Sequence, residues 1–208
     1  VSATALEQEN PNRRVHQHLT ARQPDAGCSC DGSGLCTHLP LILIDTGGQE
    51  IPGEPVSEDG LTKEQGGDVP YEYEKVTSAP DGSSTILSQV KVIEGDDTNH
   101  HPTDEPTMEL SAQIRIRGNT SRRFDKKGYL LNITEEDGIQ NRDVGMLGMA
   151  PHHQWALHGP YLDKSLIRNY MWYNIAAEFM DYAPNVRFCE VIIDGEYQGL
   201  YVLVETIT

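Results

Sequence analysis

Apolar and polar residues alternate along much of the chain, and this period of two predicts a mainly β structure. Turn-forming Gly, Pro and Asp residues separate the alternating segments, as at Asp194-Gly195 between the last two. The predicted extended segments are 39–44, 71–77, 86–93, 108–116, 127–133, 155–158, 186–193 and 196–207.

One segment has helical spacing instead. Asp163 precedes it as a capping residue, and Pro184 lies just past its end. The pattern predicts a helix over 164–180, which would pack one face against the sheet. The apolar residues recurring at every fourth position are Ile167, Met171, Ile175 and Phe179. Strands with one long helix predict an α+β fold, an antiparallel sheet packed by that helix.

The chain divides into a tail and a domain. Residues 1–38 are polar and lack a sustained period, which is typical of a flexible tail. Residues 39–208 are long enough for one domain of ordinary size. The longest apolar run, 39–44, is too short to span a bilayer. Because the chain begins at Val1, we expect it to be a processed or excised piece.

Charge is unevenly distributed. The chain carries a formal net charge of −16, which argues against a general nucleic-acid binder because phosphates would repel such a surface. Six of the ten bases in residues 105–208 nevertheless lie between Arg115 and Lys127, opposed there only by Asp125. This cluster predicts a site for a discrete anion. The alternative is a solvated strand end whose arginines pair with nearby acids.

The cysteines allow several interpretations. Cys28, Cys30 and Cys36 lie close together and are compatible with a disulfide loop in an oxidising compartment, or with free thiols. With His38 they could also form a zinc site, although the ligand spacing is unusually short. Cys189 lies in a strand-like run and is interpreted as a buried small hydrophobic residue.

Other polar motifs have a simpler explanation than a functional site. His152, His153 and His158 flank Trp155, and a loop packed around that ring is a simpler expectation than a metal site. Asn119-Thr-Ser and Asn132-Ile-Thr are formal glycosylation sequons.

A glycine-containing loop with a following lysine carries the candidate chemistry. A glycine between two strands lets backbone N–H groups approach phosphate oxygens, and small hydroxyl residues add donors. A lysine at the start of the next strand could neutralise those oxygens, as in kinase-type sites. Gly118 lies in such a loop, and Lys126 and Lys127 begin the strand after it. A tight hairpin turn with incidental bases would look similar.

Four ordered motifs resemble the CotH kinase family. They are Gln113-Ile-Arg-Ile-Arg-Gly-Asn-Thr-Ser-Arg followed by Lys126-Lys127-Gly-Tyr, Leu147-Gly-Met, Trp155-Ala-Leu-His-Gly-Pro-Tyr-Leu-Asp-Lys-Ser-Leu-Ile-Arg-Asn, and Gly195-Glu-Tyr-Gln-Gly-Leu-Tyr-Val-Leu-Val-Glu. With the first strand, the resemblance runs from about residue 39 to the end. Thr120, Asp125 and Gly128 are mild departures from the family pattern.

The resemblance implies an atypical protein kinase related to spore-coat protein H, with bacterial secreted or surface-displayed relatives. It implies phosphate transfer from Mg-ATP to protein hydroxyls, and a domain similar to the small lobe of a kinase. Glu205 would lie at the hinge where adenine docks, and Arg117 at the base of the loop. The implied phosphate contacts are Gly118, Asn119 and Ser121 in the loop and Lys127 or Lys126 on the strand.

The resemblance also implies limits. The family's Mg²⁺-binding and catalytic carboxylates would lie downstream in a larger lobe, so this chain alone is not expected to turn over. Its partners would be a nucleotide and a protein substrate, outside the cytoplasm. The alternative is a non-catalytic extracellular scaffold that uses the same fold for protein–protein attachment. The hypothesis of a carbohydrate-binding module has less support, since only Trp155 and Trp172 could provide stacking platforms.

Overall fold

The structure is a computed structural model that describes residues 35–95 and 99–206. The described residues form seven strands, one short 3-10 helix (Thr120–Arg123) and one α-helix, α1 (Arg168–Phe179). The strands are β1 (Leu41–Asp45), β2 (Ile86–Ile93), β3 (Met108–Arg117), β4 (Gly128–Thr134), β5 (Gln154–His158), β6 (Val186–Ile193) and β7 (Glu196–Glu205).

The seven strands close into a barrel in the order β1-β2-β3-β4-β5-β7-β6. All neighbours pair antiparallel except β1 and β6, which pair in parallel from Leu41 opposite Glu190 to Ile44 opposite Ile193. This parallel pair joins the first strand to the terminal hairpin. It removes both free sheet edges, which would otherwise expose unpaired backbone groups.

The alternation of side chains explains why the barrel has an apolar interior. On β4, Tyr129, Leu131 and Ile133 are buried, as the period-two pattern predicts. Trp155 and Tyr201 are the largest fully buried side chains. Cys189 also lies inside with no exposed surface, which confirms its interpretation as a buried small residue. Burial of its thiol raises the pKa of Cys189.

The predicted fold class is wrong. The domain is a closed β-barrel with a short helix on its outside, whereas the sequence predicted an α+β fold, an antiparallel sheet packed by one long helix. α1 contacts the outer face of β6 through Tyr170, whose ring stacks on Phe188 at 4.5 Å. The barrel fills its own interior, so the helix is an external attachment and does not complete the core.

The apolar stripe of the helix is also placed differently from the prediction. Tyr170 and Tyr173 face the barrel, while the residues at every fourth position point away from it. Their exposed fractions are 49% for Ile167, 39% for Met171, 37% for Ile175 and 86% for Phe179. Periodicity showed that one face is apolar, but it did not show which face the barrel contacts.

The helix begins later than the predicted residue 164. Asp163 does bind the first turn, since its Oδ2 accepts from the backbone N–H of Arg168 at 2.8 Å. Leu166, however, has φ of 61°, a left-handed conformation that interrupts a right-handed helix. Regular α-helical structure therefore starts at Arg168.

One further segment differs from the prediction. The predicted strand at 71–77 is a loop that forms one isolated bridge, between Val76 and Pro55, and whose Thr77 carbonyl also accepts from the Gly53 N–H. Cys28 and Cys30 lie outside the described residues, so the alternatives for that cluster stay predictions. Within the described ranges, no helix has the length and apolar character needed to cross a membrane.

Candidate anion-binding site

A cavity of about 390 Å³ opens at one end of the barrel, between the loop after β3, the segment after β5 and the first turn of α1. Its size is within the usual range for small-molecule sites. The lining residues combine cationic, polar and aromatic side chains. They are Arg117, Gly118, Ser121, Phe124, Lys126, Gly128, Leu157, His158, Gly159, Pro160, Tyr161, Leu162, Asp163, Arg168, Asn169, Tyr173 and Val204.

The glycine loop has a backbone that only glycine adopts comfortably. Gly118 has φ of 121°, and a Cβ atom added there would overlap the hydroxyl oxygen of Ser121. The loop therefore folds Ser121 tightly back over Gly118. Both residues line the cavity, as the sequence-based interpretation of a phosphate-covering loop requires.

Two of the clustered arginines hold the loop in place. Arg122 donates from Nε to the carbonyl of Gly118 at 2.6 Å and from Nη1 to the carbonyl of Gly53 at 3.0 Å. Arg123 donates to the carbonyls of Val69 and Pro70. These arginines connect the glycine loop to the long segment before β2, so their charges serve the loop's structure.

Arg117 is in a different position. It is exposed, it lines the cavity, and its side chain has no hydrogen-bond or ion-pair partner among the described residues. Arg168 lines the same cavity from α1, with its Nη2 at 3.8 Å from Asp163 Oδ1 and its side chain 65% exposed. Such an exposed pair is weak. Arg117 and Arg168 are therefore available to an anion.

The two adjacent lysines have separate roles. Lys126 lines the cavity, but its Nζ donates to the Gln198 carbonyl at 2.8 Å and lies 4.3 Å from the centre of the Tyr201 ring. Burial lowers the pKa of Lys126. Lys127 is absent from the cavity lining. Its Nζ donates to Glu54 Oε1 at 2.7 Å and to the Arg122 carbonyl at 2.7 Å.

Glu54 is an acid that sequence reasoning did not connect with this site. It lies 73 residues before Lys127 in a Gly- and Pro-rich loop, and no local spacing relates the two. The side chains of both are mostly buried, at 17% and 18% exposure. This ion pair fastens the long loop to the start of β4.

His158 and Asp163 are two further titratable groups that line the cavity. The pKa of His158 is lowered by burial and by the charge of Arg117, and Asp163 partly opposes these effects. The pKa of Asp163 is lowered, first by its hydrogen bond from the Ser165 hydroxyl and then by the Arg168 N–H. At neutral pH the cavity therefore contains a neutral imidazole beside Arg117.

Asn119 and Glu205 are not among the residues that line the cavity. The carbonyl of Asn119 accepts from the Tyr73 hydroxyl at 2.6 Å, so its backbone fixes the loop. Glu205 is 3% exposed, and both of its carboxylate oxygens accept from Asn185. It pairs with Trp155, three residues along β5 from His158, a separation of about 10 Å.

Aromatic residues of the cavity were missed at the sequence level. Phe124 stacks on Tyr161 with ring centres 5.0 Å apart, and the Tyr161 hydroxyl donates to Asp125 at 3.3 Å. Tyr173 of α1 completes the set. Tyr161 lies in one of the family motifs, but Phe124 and Tyr173 lie outside all four, and no local spacing relates the three rings. The histidine loop behaves as predicted, since Trp155 Nε1 donates to the His152 carbonyl at 3.0 Å.

The carboxylates of Asp163 and Glu54 are engaged with other groups of the protein. No group of three or more His, Cys, Asp or Glu side chains in the part of the chain that the structure describes is arranged to hold a metal ion. Asp163 is occupied by Ser165 and by the Arg168 N–H, and Glu54 is paired with Lys127.

The molecule is thus a closed β-barrel with a cation-lined cavity beside a glycine loop. Residues 114–208 match the family model described as CotH kinase protein. The match confirms the family resemblance over residues 114–208, and the resemblance of the first strand, from about residue 39, stays a prediction. The match includes β4 to β7, α1 and every residue lining the cavity. A comparison with curated proteins gives no match.

Proposed function

We propose that the cavity binds the phosphate groups of Mg-ATP, with Arg117 as the principal contact. The observation that carries the proposal is the position of Arg117: it lies beside the glycine loop, lines the cavity and has no acidic partner among the described residues. An arginine presents several N–H donors in a planar fork that suits phosphate oxygens.

The other groups that line the cavity make different contributions to phosphate binding. Ser121 provides a hydroxyl donor, and the tight turn at Gly118 brings backbone close to the ligand. Arg168 adds positive charge from the first turn of α1, where its own backbone N–H is already bonded to Asp163. Lys126 contributes charge from the wall while its Nζ stays bonded to Gln198.

The wider proposal is that the chain is the nucleotide-binding part of a secreted or surface CotH-like kinase that phosphorylates protein hydroxyls. The family match supports this assignment. Mg²⁺ would screen the phosphate charge and stabilise the transferring group. Because Asp163 and Glu54 are already bonded within the protein, the role proposed for the cavity residues is to bind and orient the nucleotide.

Calorimetric titration with Mg-ATP tests the proposal. We expect Arg117→Ala to weaken binding about tenfold, a difference of about 1.4 kcal/mol. Arg142→Ala is the matched control, because Arg142 is also an exposed arginine but does not line the cavity. Equal affinities of wild type and Arg117→Ala, or no binding of Mg-ATP to either, would contradict the proposal.

A second candidate function is favoured by the exposed apolar face of α1. Trp172 is 58% exposed and Phe179 86% exposed, which is unusual for large hydrophobic residues and typical of protein–protein contact surfaces. This observation supports the non-catalytic scaffold. The same titration separates the candidates, since a scaffold with no nucleotide site predicts no binding heat with Mg-ATP.

A further inference from the structure

The cavity has an aromatic part as well as a cationic part. Phe124, Tyr161 and Tyr173 line it together with Arg117 and Arg168. A site for inorganic phosphate alone would need only the cations, and three rings beside them suit a ligand that carries a planar group next to its anionic group.

Phe124 is the ring best placed to receive such a group. One face of its ring stacks on Tyr161, with an angle of 18° between the two planes. Tyr161 has Phe124 on one side and Lys164 Nζ at 5.5 Å from its ring centre. Among the described residues, no other ring or cation stacks on Phe124, and the half-buried side chain lines the cavity.

The chain also fixes Phe124 close to the anion contacts. It ends the segment that carries Gly118 and Ser121, and Phe124 N–H donates to the Ser121 carbonyl at 3.2 Å. The stack on Tyr161 then connects this segment to the one after β5, with the Tyr161–Asp125 hydrogen bond beside it. The ring is therefore half-buried and held in place before any ligand arrives.

The geometry points to Phe124 as the stacking platform for the base of the bound nucleotide, inside the same cavity as its phosphates. This inference rests on the proposed function and specifies its ligand as a nucleotide, in preference to a phosphopeptide or inorganic phosphate. Asn169 also lines the cavity, and its amide can hydrogen-bond the base or the ribose. Glu205 is buried against Asn185 and does not line the cavity, so we do not assign it a contact with the base.

Two probes separate the base from the phosphates. Mg-ATP carries both, whereas inorganic tripolyphosphate carries only the anionic part. Phe124→Leu removes the aromatic face and keeps an apolar side chain, and Phe124→Tyr keeps the ring. Affinities are measured by calorimetry on the whole chain, with Arg117→Ala as the variant that removes a phosphate contact.

We expect Phe124→Leu to weaken Mg-ATP about tenfold, within the range for stacking of a base on an aromatic residue. The affinity of Phe124→Leu for tripolyphosphate should differ from that of wild type by less than about twofold. Phe124→Tyr should bind Mg-ATP like wild type. Because stacking tolerates different bases, Mg-GTP should bind wild type within about threefold of Mg-ATP.

Three results would overturn the inference. Unchanged Mg-ATP affinity in Phe124→Leu would show that the base does not stack there. A parallel loss of tripolyphosphate would show that Phe124 only shapes the loop. A preference of more than about tenfold between the two nucleotides would assign recognition to the edge of the base. Failure of the proposed function is distinguishable, because the wild type would then bind neither Mg-ATP nor tripolyphosphate.

Discussion

The two ends of strand β5 differ in how their charged groups are satisfied. At the His158 end, the exposed Arg117 guanidinium has no side-chain hydrogen-bond or ion-pair partner among the described residues. At the Trp155 end, the buried carboxylate of Glu205 accepts three hydrogen bonds from Asn185. Since a satisfied buried charge stabilises the fold and an unsatisfied exposed one is available to a ligand, we assign binding to the first end and stability to the second.

The largest expected effect tests the stability end. Glu205→Ala leaves the Asn185 N–H and amide without acceptors, so we expect a loss of about 2–3 kcal/mol in the free energy of unfolding. Urea denaturation measures this loss. Tripolyphosphate affinity of the folded variant should stay at the wild-type value. A variant of normal stability that no longer binds the anion would reverse the assignment of the two ends.

The next effect concerns the glycine loop at the binding end. In Gly118→Ala, the new Cβ would meet Ser121 Oγ and the backbone would be strained at φ of 121°, so we expect tripolyphosphate affinity to fall about tenfold.

Gly148→Ala is the control for this change. Gly148 also has a positive φ, of 71°, but has open space around it and lies outside the cavity. Because of backbone strain, Gly148→Ala should lose about 1 kcal/mol in the free energy of unfolding. Its affinity for tripolyphosphate should stay at the wild-type value. Equal loss of affinity in both variants would mean that the loop at 118 has no special role.

The smallest effect is a pH dependence. Because the pKa of His158 lies below its ordinary value, the imidazole is neutral at neutral pH and gains a charge beside Arg117 only as the pH falls through that lowered pKa. Anion binding should therefore strengthen at acidic pH, by about two- to fivefold. Sulfate is the suitable probe, since its own charge is constant over this range.

His158→Gln isolates the imidazole. The variant should bind sulfate with the same affinity at about pH 7.5 and about pH 5. If it keeps the wild-type pH dependence, another group is responsible and His158 does not face the anion. Binding that weakens in acid in the wild type would contradict the assignment outright.

The residues of the site were only partly predictable. Gly118, Ser121 and the bases around them are contiguous, so a motif identified them. Glu54 pairs with Lys127 and keeps it out of the cavity, and Tyr161 stacks on Phe124. Both residues are distant in sequence from their partners. Their contacts follow from how loops cross the barrel end, and no local spacing encodes that.

Local pattern determined most strands by itself. The predicted bounds of β2 and β6 agree with the structure, because alternation requires only that successive side chains point to opposite faces. The family resemblance was likewise readable from short contiguous motifs, and the family model confirms it over residues 114–208.

Only the tertiary structure decided that the sheet closes, where the helix packs and which cations are free. Closure depends on the parallel pairing of β1 with β6, two strands that are more than 140 residues apart. In the closed barrel, side chains of the strands fill the interior, so α1 packs outside with an exposed apolar stripe. The arginines are identical in sequence terms, and only their neighbours in space distinguish Arg122, which holds the loop, from Arg117, which faces the cavity.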